Sequence, residues 1–128
     1  MKNIERKVSI EISGKNYQLV RPNNGQLIQI EVMKHRLSGG LYSEMVFTSL
    51  VSSQNTINTI DMMAHMTVLC PRVIVDLKID VSKLDIIDSL PLLKVYMQKV
   101  HPWITEWQNF IQEVSAFLAK DIAEDGAE

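Results

Sequence analysis

The chain is poor in the residues that most often announce a chemistry. It has one cysteine, four prolines, five glycines and 6% aromatic residues among 128. One cysteine excludes an internal disulfide and is too few for a thiolate zinc site. No apolar run approaches the ~20 residues a bilayer span requires, so no membrane segment is expected. The opening MKNIERKVSIEI has charges but no continuous apolar stretch, so no secretory signal is expected, and Cys70 is expected to be a reduced thiol in a cytosolic setting. No charge of one sign dominates: 13 Lys and Arg against 15 Asp and Glu give a net −2. With no basic–aromatic motif on an acidic chain, no nucleic-acid partner is expected.

What is present is an ordinary globular composition, 46% hydrophobic and 22% charged, of a length that fits one domain. The charge is unevenly spread. Residues 1–36 are net basic, whereas 37–119 and the tail from Lys120 are each net acidic. The reading is a single compact domain over 1–119 followed by an acidic tail, 120–128, that frays into solvent.

Val8, Ile10 and Ile12 alternate with Ser9, Glu11 and Ser13, and Tyr17-Gln18-Leu19-Val20 resumes the alternation. This predicts a β-hairpin with a four-residue loop, Ser13-Gly14-Lys15-Asn16, ended by Pro22. Asn23-Asn24-Gly25 offers N-caps to a helix carrying Leu27, Ile30, Met33 and Leu37, which Gly39-Gly40 terminates. A helix over 41–53 follows. Gln54-Asn55-Thr56 interrupts it before a second helix through Ile57, Ile60, Ala64 and Val68, although the two can also be continuous. Cys70-Pro71 closes that region.

Residues 72–80 read two ways. Val73, Val75, Leu77 and Ile79 alternate as in a strand, while Pro71 suits the first position of a short helix. Ser82 is expected to cap a short helix through Asp88, and Ser89 the next, which runs to a break at His101-Pro102. The last helix has the clearest pattern: Trp103, Trp107, Phe110, Ile111, Val114, Phe117 and Leu118 share one face. The fold class is therefore α+β, mainly α, with the N-terminal hairpin packed on a bundle of about five helices.

Candidate chemistry is sparse. His35, His65 and His101 are far apart, and His65 shares a helix face only with Asp61, so no metal site or metal cofactor is expected. Cys70 lacks a recognisable histidine partner and reads as a buried thiol. Asp76, Asp80, Asp85 and Asp88 form neither a calcium loop nor an acid/base pair and are read as helix caps. Gly39-Gly40 has no following Lys-Ser/Thr and is not a phosphate loop. No catalytic or cofactor-binding residue is assigned, and the chain is read as a non-enzyme. The aromatic helix is the exception: with Met62, Met63 and Met66 it suggests an association surface, self or hetero. Trp103, Trp107, Phe110, Tyr96 and Met63 are the expected contact residues.

The segment EISGKNYQLVRP, followed by a helix ending at LSGG and further helices, resembles small tailed-bacteriophage proteins of the tail assembly chaperone type. The likeness covers roughly residues 8–70 and rests on a hydrophobic-x-Gly-Lys-x-Tyr hairpin followed by a proline-bearing entrance to a helical bundle. The resemblance implies a protein of the host cytoplasm that binds the long tape measure protein and keeps its apolar segments soluble while the tail tube polymerises. It implies no catalytic residues. The alternative expectation is a virion structural subunit of a tail, collar or head-to-tail ring, with the tryptophan-bearing helix as its obligate subunit interface.

Overall fold

The computed structural model describes residues 5–48 and 51–126, with side chains described over 5–46 and 54–122. Strands β1 (Lys7–Ile12) and β2 (Lys15–Val20) pair antiparallel in the register Ile10↔Tyr17 and Ile12↔Lys15. The period of two sends Ile10, Ile12, Tyr17 and Leu19 to one face, where all four are buried, while Ser9, Glu11, Asn16 and Gln18 face water. The connecting turn is shorter than the sequence suggested. Only Ser13 and Gly14 lie outside the ladder, both at positive φ (54° and 77°), the sense of twist that matches a right-handed strand pair. Lys15 and Asn16 belong to the strand.

Helix α1 (Asn24–Leu37) starts on a reciprocal cap. The Asn23 side chain accepts from the Gln26 N–H (2.9 Å), and the Gln26 side chain accepts from the Asn23 N–H (3.0 Å). It stops as expected at the glycine pair. Gly39 and Gly40 sit at φ 63° and 83°, and the Gly40 N–H turns back to the His35 carbonyl at 2.8 Å.

Helix α2 spans Tyr42–Thr48 and α3 spans Val51–Leu69. Whether they are continuous, and the side chains of Phe47, Leu50 and Val51, lie outside the described residues. The expected interruption at Gln54-Asn55-Thr56 does not occur. These residues stay helical because their polar groups are served within the helix: Gln54 Nε2 donates to Asn58 Oδ1 (3.0 Å), and Thr59 Oγ1 to the Asn55 carbonyl (2.8 Å).

The ambiguous stretch after Pro71 resolves as helix α4 (Pro71–Asp76), with the proline in its first turn and Val73 and Ile74 inward. It is tied to the hairpin by the Tyr17 hydroxyl, which donates to Asp76 Oδ2 at 2.7 Å. That bond lowers the Asp76 pKa from its ordinary value, helped by Lys15 and Arg72, and raises that of Tyr17. The helix expected from Ser82 through Asp88 is instead a single 3₁₀ turn, Val81–Lys83, capped by Asp80 rather than by Ser82. Asp80 Oδ1 accepts from the Ser82 backbone and hydroxyl, and Asp85 Oδ1 from the N–H groups of Ile87 and Asp88. Local side-chain acceptors thus divert the backbone from an α-helix into turns.

Helix α5 (Leu90–Val95) begins after Ser89, whose hydroxyl donates to the Asp85 carbonyl instead of capping the helix. The break expected at His101-Pro102 is absent. A π turn, Tyr96–Val100, leads straight into α6, His101–Gly126. The His101 N–H bonds to the Tyr96 carbonyl five residues back. This wider turn lets the helix pass a proline that cannot supply its own N–H. Helix α6 also runs through the tail expected to fray, as far as Gly126.

The result is the anticipated mainly α, α+β architecture. The hairpin lies on helices α1 to α6, α5 and α6 forming one rod with a π turn inside it. Strand β1 lies against α5 and the π turn, and α1 and α2 both pack on α3. The core gathers the inner hairpin face, Met62, Met63 and Met66 of α3, α4, Leu92 of α5, and the aromatic start of α6.

Candidate protein-binding surfaces

The expected contact residues divide sharply. Met63, Tyr96, Trp103 and Trp107 are buried inside the folded chain, Trp107 with 1% of its surface exposed, so none of the four can meet a partner at the surface. The reason is local. Trp103, Ile104 and Trp107 in the first two turns of α6 join the same core as residues of the hairpin, α3, α4 and α5. Trp103 and Trp107 pack edge to face with centroids 6.2 Å apart, and Trp103 Nε1 donates to the Glu5 carbonyl at 2.8 Å. The two tryptophans therefore belong to the chain's own core. The methionine cluster of α3 is likewise core rather than surface. Phe110 alone of the five stands at the boundary, half-buried.

Beyond Phe110 no described residue buries α6. Every residue from Ile111 to Ile122 is exposed, yet the apolar pattern continues in Ile111, Val114, Phe117, Leu118 and Ile122. Where the stripe leaves the body, a groove of about 300 Å³ is lined by Arg21, Pro22, Leu27, Phe110, Ile111 and Val114.

A second groove, of about 400 Å³, runs between α1 and α3. Ile28 and Val32 line it at 65% and 52% exposure, beside Met33, Arg36, Thr67 and Val68. The Thr67 hydroxyl is buried there without a hydrogen-bond partner among the described residues. Sequence reading missed this surface because Ile28 and Val32 look like the outer positions of an ordinary helix, and only the α1–α3 crossing makes them a wall.

A polar network also joins α1, α2 and α3. Lys34 Nζ sits 3.2 Å from Glu31 and 3.6 Å from Asp61, and lies 5.3 Å from the centre of the Tyr42 ring. The Tyr42 hydroxyl donates to Asp61 Oδ1 at 2.5 Å. Burial, then this bond, raises the Tyr42 pKa well beyond its ordinary value. Asp61 and His65 do share a helix face, but Nδ1 of His65 donates to the Asp61 backbone carbonyl (2.7 Å), with the Tyr96 hydroxyl 3.4 Å away.

Burial lowers the His65 pKa below 6.5, with Lys34 adding to the effect against the Asp61 hydrogen bond. The unfolded chain therefore takes up a proton that the folded chain refuses. The stability His65 allows is complete above pH 6.5 and is lost as pH falls through 6.5 toward the lowered folded value. Urea midpoints measured across this window should fall with acid in the native chain and stay flatter in His65→Gln. The window stands apart from that of Asp76 and Asp80, whose lowered pKa values weaken the fold only below 3.8.

Burial also raises the pKa of the Cys70 thiol, the opposite of what a nucleophile needs. Among the described residues no group of three or more His, Cys, Asp or Glu is placed to hold a metal ion, and no helix is long and apolar enough to cross a membrane. Comparison with family models, curated proteins and solved structures finds no match to this chain.

Proposed function

We propose that the protein is a non-enzymatic bacteriophage morphogenesis factor of the tail assembly chaperone kind. In the host cytoplasm it holds an amphipathic helix of a tape measure protein in the α1–α3 groove. The observation that carries this reading is the pair Ile28 and Val32, two large aliphatic side chains left more than half exposed along an open groove. An amphipathic helix laid there buries its own apolar ridge against theirs. Met33 adapts to irregular side chains along such a ridge. Arg36 offers a charge to an acidic residue at the rim of the client helix.

Co-production with the tape measure protein of a tailed bacteriophage tests the proposal. The native chain should raise the soluble yield of that partner several-fold, and Val32→Glu should abolish the gain while leaving the circular dichroism of the chaperone unchanged. Equal protection by Val32→Glu would remove the groove from the reading. Recovery of the chain at fixed high copy in purified virions would replace the chaperone with a structural subunit.

A further inference from the structure

The distal half of α6 is a different surface, and its charge pattern specifies what covers it. Phe110, Ile111, Val114, Phe117, Leu118 and Ile122 form one stripe along a helix that projects past the body, with Phe117 at 69% and Ile122 at 70% exposure. Together they leave on the order of 500 Å² of apolar side chain per copy in water, a patch at the upper end of what a monomer tolerates. Glu106, Glu113 and Lys120 are spaced by seven, so all three lie on one flank of the stripe. Ile111 and Leu118, also seven apart, lie on the other.

We propose that two copies of the chain pair through this stripe with their α6 helices antiparallel. In an antiparallel pair each flank meets the same flank of its partner. The register that sets Val114 against the second copy's Phe117 also brings Glu113 beside the second copy's Lys120, and Leu118 beside the second copy's Ile111. By symmetry each of these contacts occurs twice. Asp121, otherwise an acidic intrusion into the stripe, arrives opposite Phe110 of the other copy, where Arg21 lines the groove. A parallel pair forfeits all of this, because the charged flank of one helix would then lie along the apolar flank of the other. The antiparallel arrangement also keeps the two bodies at opposite ends of the paired segment. That segment, Phe110–Ile122, is about 20 Å long at 1.5 Å per residue. It removes about 1,000 Å² of apolar surface in total, the threshold of a specific interface before the polar flanks are counted.

The pairing leaves the α1–α3 groove unused and does not depend on what occupies it. Sedimentation equilibrium of the full chain provides the test. The native protein should be a dimer that dissociates on dilution. Phe117→Glu should be a monomer with unchanged circular dichroism, its dissociation constant raised at least about 100-fold. Glu113→Lys and Lys120→Glu should each weaken the dimer by about tenfold through paired like charges. An equimolar mixture of these two variants should regain native affinity, because every 113–120 contact between unlike copies is again Glu or Lys against its opposite. A native chain that stays monomeric at several hundred micromolar overturns the proposal. So does a mixture no tighter than either variant alone, or a Phe117→Glu variant that still dimerises. Val32→Glu should dimerise normally, so failure at the groove and failure at α6 are read separately.

Discussion

Replacing Trp107 with alanine should cost about 3–5 kcal/mol of folding free energy and lower the melting temperature by roughly 10–20 °C. The indole is almost wholly enclosed between the Trp103 ring and the hairpin side of the core. Truncation therefore removes its transfer energy and leaves a cavity whose walls belong to several different elements and cannot close in concert. Against a typical domain stability of about 5–15 kcal/mol, a loss of that size leaves a marginal fold. The indole N–H, however, is buried with no acceptor among the described residues. Trp107→Phe discards that unpaired donor while keeping most of the apolar volume, so its cost should be well under half that of alanine. Urea denaturation followed by circular dichroism separates the three proteins. Equal losses for alanine and phenylalanine would contradict this account, and a native-like Trp107→Ala would return the residue to the surface.

That expectation exposes what the sequence could and could not convey. A helical period identifies the side of α6 that carries apolar residues from Trp103 to Leu118, and the structure keeps them on one side. Periodicity does not say what lies opposite. The first half of the stripe joins the core, whereas the second half faces water, with no change in pattern where the body ends. The buried residues were therefore expected as contacts, while Ile111, Val114, Phe117 and Leu118 of the same face stand in the open. The hairpin was legible because alternation, a turn glycine and a terminating proline agree, and α1 because Asn23 and the glycine pair mark both its ends. Residues 72–80 were not, since Val73 and Ile74 face inward as neighbours, which suits a helix, while the alternation through Ile79 mimics a strand. At His101-Pro102 the local rule favoured a stop. The helix passes because a π turn removes the demand for the proline's N–H, a solution that depends on Tyr96 and Val100 being held in the core.

Asp61→Ala should be the most damaging change outside the apolar core, at about 2–4 kcal/mol. Its carboxylate is the shared acceptor that joins three helices: it accepts from Tyr42 on α2 and faces Lys34 on α1. The Lys34 side chain is only 10% exposed, so its ammonium has given up most of its hydration. Removing Asp61 leaves that charge with Glu31, a largely solvated partner, and strips the Tyr42 hydroxyl of its acceptor. The loss is therefore a desolvation penalty left uncompensated rather than the strength of one ion pair. A double replacement distinguishes the two. Lys34→Met with Asp61→Leu removes both charges and substitutes apolar volume, so the double variant should be more stable than Asp61→Ala even though it lacks the whole pair. Urea midpoints of the two proteins at pH 7 decide the matter. If the double variant is the weaker, the Lys34–Asp61 attraction itself holds α1 on α3. If it is the stronger, the network is tolerated at a cost in stability and serves to fix how the walls of the α1–α3 groove cross.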